Sequence, residues 1–566
     1  MTRRSKDLPT PTRHGNRTRQ GWGATNAKLP CARRRRSIAP WILGAGITLG
    51  PLVIGSFAGG CSLGNITVLR CEDHDDCLDA YGYGSACIDG FCGEPTACTT
   101  GHDCRRVHGG GACVDNLCVD TIPADPSGSC TLFEPEALPG TKIIGDGAPV
   151  VIGGMFLFEV DFAPPIEQAV RLAVREINKA GGLIEGQPLA MVVCDNGGAM
   201  NSLDGEDRTQ KIHDVVDYLA GTLGVPLIIG PLTSGDTQQT IQYMVAQGYP
   251  TAMVSPSATS PSLTDEPDRL DQADPYGLFW RTPPPDALQG QVLAQNVAGI
   301  YPTENMFLST VVAVYRDDAY GLGLANAFQV SFPGTTTLQR FDVGAPLQPA
   351  AEAANAVNPD AVLFIDIGGD RAVSFIEAMA ALPNLQGKPL YLADGSKNAS
   401  VIDLMLPTGV QNIVFNDAVG TVTAPPEGPL FNLFQSSYIT EFGSDPAENA
   451  FTANGYDAVF VGAAGLVYAS QFGNDYDGRN VAEGMSRLVG GPTPIEIGQV
   501  QWPAVKNGLT TGERVVDIVG ISGPLDFDVI TGEAPAAIEV WKPSTDPMDC
   551  GAAASCFARL EIVAPP

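Results

Sequence analysis

The chain has 566 residues, 63 Asp and Glu against 33 Lys and Arg, and 14 cysteines. Residues 1–60 hold 11 of the basic residues and a single acidic one, Asp7, so the remainder carries 22 basic against 62 acidic groups, a net charge of −40. A surface of that sign repels nucleic acid and anionic headgroups, which excludes a DNA- or RNA-binding function, and its simplest origin is solubility or a saline habitat rather than a charged partner.

The first predicted element follows four consecutive arginines, Arg33 to Arg36: an apolar run from Pro40 that ends Phe57-Ala58-Gly59-Gly60-Cys61. A basic segment, an apolar stretch and small residues before a cysteine resemble a bacterial lipoprotein signal, which implies removal of residues 1–60 and lipidation of Cys61. The run is also long enough to span a bilayer, although Pro40, Pro51 and six glycines make it a poor helix. Either reading leaves the bulk of the chain exported and held at a membrane, on the periplasmic or cell-surface side.

Next comes an internal repeat. Cys71, Cys77, Cys87 and Cys92 are spaced C-x5-C-x9-C-x4-C, and Cys98, Cys104, Cys113 and Cys118 are spaced C-x5-C-x8-C-x4-C. Asp76-Cys77 recurs as Asp103-Cys104, and Ala86-Cys87-Ile88-Asp89 as Ala112-Cys113-Val114-Asp115. Each unit has too few large apolar side chains for a core of its own and needs crosslinks to hold a shape. An even number of cysteines in an exported chain reads as disulfides rather than zinc, and the cluster Glu72 to Asp76 as a solvated turn rather than a calcium loop. The expected role of residues 61–130 is a protease-resistant spacer, with a protein-binding module as the alternative. Cys550 and Cys556 are close enough to close a small loop, and Cys130 and Cys194 form the remaining expected pair.

From about residue 141 the composition is that of an ordinary α/β protein, too long for one core, so two lobes are expected. Val150 to Phe158 reads as a buried strand. Ile166, Ala169, Val170, Ala173, Val174 and Ile177 mark one face of a helix stopped by Gly181-Gly182. Strands follow at 189–194 and 227–229 around a helix carrying Ile212, Val215, Val216 and Leu219. The rhythm resumes with strands at 310–315, 361–365 and 389–392 and helices at 319–330 and 371–381. The fold class is α/β: two doubly wound parallel-sheet lobes.

Several segments then carry a family resemblance. Ile229-Gly230-Pro231-Leu232-Thr233-Ser234, Val254-Ser255-Pro256-Ser257-Ala258-Thr259-Ser260-Pro261, and Trp280-Arg281-Thr282 with Asp286 and Gln289-Gly290 resemble type I periplasmic binding proteins of the branched-chain amino acid class. Tyr315-Arg316-Asp317-Asp318-Ala319-Tyr320-Gly321, Asp394 to Ser400, and Gly523-Pro524-Leu525-Asp526-Phe527-Asp528 keep the same order. The resemblance implies a ligand cleft between two lobes joined by three chain crossings. Lobe one is placed at about 145–282 and 418–500, and lobe two at about 283–417 and 501–566.

It also implies site residues. Ser234 falls where a hydroxyl contacts the ligand, and Ser257 and Thr259 lie where free N–H groups and hydroxyls accept a carboxylate; considered alone, the two would cap a helix. Tyr320 falls at a lobe-two aromatic position, and Phe158 where the family often has an aromatic, a plain core role being the alternative. Asp394 falls where amino-acid binders place the acid that receives the ligand's ammonium. Glycines at 368 and 369 stand where such binders carry pocket-walling aromatics, implying a roomier pocket.

No G-x-S-x-G, H-E-x-x-H or G-x-x-x-x-G-K-[ST] occurs. The expectation is no enzyme, no cofactor and no metal. Instead the chain reads as a lipid-anchored solute-binding protein that closes on a small polar, amino-acid-like ligand and delivers it to a membrane ABC permease. The alternatives are a surface sensor without transport, or an interaction protein acting through its cysteine-rich repeats.

Overall fold

The computed structural model describes residues 70–565 except 72–75, 78–84, 86, 89, 93–96, 146, 198–204, 300–307, 404–417, 425–426, 474–476 and 552–554. Cys61 and the segment before it lie outside the described residues, as does most of the cluster Glu72 to Asp76. The chain divides into two compact units, 1–95 and 96–566. In the first, Cys71–Cys87 and Cys77–Cys92 are disulfides, and a two-stranded antiparallel hairpin pairs Cys87–Ile88 with Phe91–Cys92.

The second unit opens with the second repeat, crosslinked as Cys98–Cys113 and Cys104–Cys118. It holds a helix, α1 (Gly101–His108), and a hairpin of Ala112–Val114 with Leu117–Val119. This repeat is not a separate spacer: it is built into lobe one. Ala112, Val119 and Ile122 share a core with Met155, Ile212 and Leu219. A Cβ on Gly101 would lie 2.4 Å from the Leu223 carbonyl carbon, so only glycine allows the two backbones to meet. Arg105 Nη2 donates to the Gly224 carbonyl at 2.6 Å, and His102 Nε2 lies 3.2 Å from Thr251 Oγ1.

Lobe one is a six-stranded sheet of β1 (Cys130–Glu134), β2 (Val150–Phe156), β3 (Leu189–Asp195), β4 (Leu227–Ile229), β5 (Ala252–Ser255) and β6 (Phe279–Arg281), in the order β6-β5-β4-β2-β3-β1. β2 through β6 run parallel. β1 lies antiparallel to β3, with Cys130 opposite Cys194 and joined to it by a disulfide. Every residue of β2 and β4 is buried, as continuous apolar runs in a doubly covered sheet require. Helix α2 (Ala163–Lys179) turns the predicted apolar face inward and ends before Gly181 and Gly182, both at positive φ.

Lobe two orders seven strands β8-β7-β9-β10-β11-β12-β13, namely β7 (Thr310–Arg316), β8 (Thr335–Phe341), β9 (Ala361–Ile365), β10 (Leu390–Leu392), β11 (Ala418–Thr423), β12 (Ile538–Ser544) and β13 (Cys556–Val563). The last two form an antiparallel edge, and Cys550, in the short helix between them, is disulfide-bonded to Cys556 at the start of β13.

Three crossings join the lobes, at boundaries that differ from those expected. Residues 418–423 are a lobe-two strand, registered on β10 with Leu390 opposite Ala418. Residues 501–536 belong to lobe one, because Trp502, Val505, Leu509, Phe527 and Ala534 fill its core. Lobe one also begins earlier than 145, at β1 and the repeat before it. Its central helix, Thr452–Ala469, is buried at all 18 positions, and its Asp457 carboxylate is satisfied by the N–H groups of Ile521 and Ser522.

Candidate functional site

In open parallel sheets the loops beyond the carboxyl ends of the strands form the ligand crevice, beside the point where strand order reverses. Here β2 sits between β3 and β4, and β7 between β8 and β9, so both reversal points face one cleft. From lobe one it is lined by Asp161, Phe162, Leu232, Thr233, Ser234 and Ser257. Tyr320, Ile367, Asp394, Gly395, Lys397 and Asn398 line it from lobe two, with Ala450 and Phe451 from the turn before the central helix. The empty volume is about 460 Å³, part of it open to solvent.

The lobe-one wall is two loops stitched together. After β4 the chain turns through Gly230, at φ +105°, where a Cβ would lie 2.2 Å from the Met155 carbonyl oxygen. It then enters α3 (Ser234–Gln247), capped by Thr233, whose Oγ1 accepts from the Asp236 N–H at 3.2 Å. Ser255 Oγ donates to the Pro231 carbonyl at 2.6 Å and Ser257 Oγ to the Leu232 carbonyl at 2.7 Å, while Ser234 Oγ accepts from the Ser260 N–H at 3.1 Å. Ser257 therefore has its hydroxyl proton committed and its oxygen available as an acceptor. Ser234 is the reverse: its oxygen is engaged and its hydroxyl proton is free to donate toward an anion at the positive end of α3.

The lobe-two wall centres on Asp394, which follows β10 and is 4% exposed. Its Oδ1 accepts from Tyr320 OH, on helix α5 (Ala319–Ser331), and from Gln289 Nε2 at 3.0 Å, on helix α4 (Asp286–Val297). Burial pushes the Asp394 carboxyl above its ordinary range, and these two bonds hold it back. Tyr320 is held well above its usual value by burial and then by the Asp394 charge, so it stays a neutral donor. Burial lowers the Lys397 amine; Glu539, 2.6 Å from its Nζ, opposes that shift, and Arg559 Nε donates to the same Glu539 at 2.9 Å.

Of the six residues expected to contact ligand, Ser234, Ser257, Tyr320 and Asp394 reach the wall of the cleft. Thr259 stands behind it, 1% exposed, its hydroxyl donating to Asp286 Oδ2 at 3.0 Å. Phe158 packs against the lobe-one core, 6.1 Å from Phe156, and the aromatic wall is supplied by Phe162 on the same loop.

The expected widening at the glycines does not arise at Gly369. A Cβ there would lie 2.1 Å from Ser400 Oγ and 2.7 Å from Asn398 Cβ, so this glycine admits the neighbouring segment instead. Phe162, Lys397 and Phe451 were not legible as site residues. Phe451 holds a left-handed backbone, φ 64°, uncommon for a bulky residue, and no sequence signal announces it. The lobes also touch directly. Asp161 Oδ2 accepts from the Gly369 N–H at 2.9 Å, and Ser260 Oγ donates to the Ala319 carbonyl at 2.7 Å.

Among known proteins, the model of the periplasmic binding protein family matches residues 158–499. A Leu/Ile/Val-binding protein homolog of Brucella melitensis is 25% identical over 310 residues, 54% of this chain and 74% of that protein. The leucine-binding protein LivK of Thermotoga maritima shares the fold with a TM-score of 0.53 at 17% identity, over 74% of this chain and 99% of the other. An ABC-transporter solute-binding protein of Rhodopseudomonas palustris, solved with 3,4-dihydroxybenzoic acid, does so at 0.52 and 15%, over 74% and 97%. With two doubly wound lobes, three crossings and a cleft at their shared carboxyl edges, the chain belongs to the type I periplasmic binding proteins, a family of extracytoplasmic solute-binding proteins and not of enzymes.

Proposed function

We propose that this protein is a lipid-anchored solute-binding protein that closes on a small amino-acid-like ligand and presents it to an ABC-type permease. The observation that carries the reading is the polarity across the cleft. Ser234, at the start of α3, offers a proton to an anion on one wall, and Asp394 offers a buried carboxylate to a cation on the other. A carboxylate is common to leucine and 3,4-dihydroxybenzoic acid, the ligands named for two structural neighbours, while an acid at Asp394 favours a ligand that also bears an ammonium. Closure follows from binding both walls at once, since a ligand shifts the population only by its differential contacts with the shut arrangement.

The test is mass spectrometry of small molecules retained by the purified protein, followed by calorimetric titration of the compound found. Asp394→Asn is expected to lower affinity roughly 30-fold to several thousand-fold, the loss typical of an unanswered buried charge. Affinity equal to wild type would end the amino-acid-like reading and leave the fold assignment standing.

A further inference from the structure

Behind the cleft wall lies a second acid that the family resemblance leaves without a role. Asp286 opens α4 and is fully buried, one turn from Gln289, which bonds Asp394, and the Asp394 charge acts on it. Gln289, one turn along the same helix, donates to Asp394 Oδ1 at 3.0 Å and lies 3.2 Å from Thr421 Oγ1. Asp286 Oδ2 accepts from Thr259, while its Oδ1 is buried with no hydrogen-bond partner.

Among the described residues no cation forms an ion pair with either carboxylate. Arg281, close enough to act on Asp286 electrostatically, commits Nη1 to the carbonyls of Ala258 and Ser260 and Nη2 to Thr264 and Glu533, while its buried Nε has no hydrogen-bond partner. Lys397 is held by Glu539, and Tyr320, Gln289, Thr259 and Thr421 are neutral. Two buried carboxylates that act on each other, with no cation paired to either, disfavour the doubly ionised state.

We propose that Asp286 is a positioning residue of the ligand site: it and Asp394 together hold one proton, and the ligand's ammonium displaces that proton on binding. The proposal rests on the reading that Asp394 receives an ammonium. The charge balances, because one cation enters as one proton leaves to solvent. Burial and the Asp394 charge both push the Asp286 carboxyl well above its ordinary range, so the proton is present in the unliganded protein above the usual carboxylate pH. A neutral competitor of the same shape cannot expel the proton, so the pair also selects for a cationic group. Because the free protein binds a proton that the complex lacks, affinity rises with pH, by up to about tenfold per unit, until the free pair ionises unaided.

The probe is whichever of the twenty L-amino acids most raises the melting temperature of the full protein. Calorimetry in buffers of different ionisation enthalpy, at about pH 6, is expected to show about one proton released per ligand bound. Asp286→Asn, which leaves Asp394 ionised, is expected to release about none and to bind about tenfold more tightly than wild type at that pH. No proton release by wild type, or the same release by the variant, overturns the proposal and leaves the proposed function intact.

If no amino acid binds, the proposed function fails, and the proton is sought directly. Infrared difference spectra of wild type and Asp286→Asn at neutral pH are expected to show a protonated-carboxyl band lost in the variant. Absence of that band in wild type overturns the proposal independently of any ligand.

Discussion

In the first cysteine-rich repeat Cys71 pairs with Cys87 and Cys77 with Cys92; in the second, Cys98 pairs with Cys113 and Cys104 with Cys118, the same first-to-third and second-to-fourth pattern. The first nonetheless lies in the separate unit 1–95, while the second is part of the body that holds the lobes. Aligned on their cysteines, they differ at the docking positions. Gly101 in the second copy matches His74 in the first, Arg105 matches Leu78, and Val119 matches Gly93. In the second copy those three residues allow a backbone approach, supply a charged hydrogen bond and fill a core position. Crosslinks give each module its local shape; in the second copy these three residues also fuse it to lobe one.

The largest effect is expected from Gly101→Leu, because a Cβ there meets backbone atoms of Leu223 and Gly224 that have no freedom to move aside. It should destabilise the lobes by about 3 kcal/mol in chemical denaturation, and an unchanged transition would mean that the second repeat is not packed on lobe one.

Removing a disulfide sharpens the same contrast. The Cys104→Ala, Cys118→Ala double variant, opening a sequence separation of 14, should lower stability of the lobes by about 3 kcal/mol. The Cys77→Ala, Cys92→Ala variant should leave the lobe transition in place while making residues 71–92 sensitive to protease. A shared loss of lobe stability would refute the distinction.

A smaller effect comes from pH. His102 is buried, and desolvation, with the Arg105 charge adding to it, holds its pKa down to about 3 from 6.5. Between those values the unfolded chain binds the proton and the folded one does not. Its contribution is therefore complete above about pH 6.5 and is lost as pH falls toward 3, by about 2 kcal/mol at about pH 5. Stability curves of wild type and His102→Ala should converge by that amount on acidification; parallel curves would show that His102 is not a buried neutral group.

Much of the fold could be read along the chain. β2, β4 and β9 are uninterrupted apolar runs, and Ile166 to Ile177 repeat at helical spacing, so each element declared itself within a dozen residues. Lobe membership could not be read this way. Ala418 to Thr423 looks the same whether it extends one sheet or starts another, and nothing local tells Trp502 which core it will fill. The site divides similarly. Ser234, Ser257, Tyr320 and Asp394 sit at strand ends, where motif position and cleft position coincide, whereas Thr259 is turned away by its bond to Asp286 and Phe162 takes the place considered for Phe158.

By itself, then, the sequence determined the alternation of buried strands and one-sided helices, the duplicated cysteine spacing and the cysteines left over for single pairs, because each is a regularity over short stretches of chain. Only the tertiary structure decided that the second repeat docks on lobe one, that residues 501–536 return to it, and that Asp286 and Asp394 are both buried, one behind the cleft wall and one in it. Those outcomes depend on distances and desolvation between residues far apart in the chain, and a linear pattern carries neither.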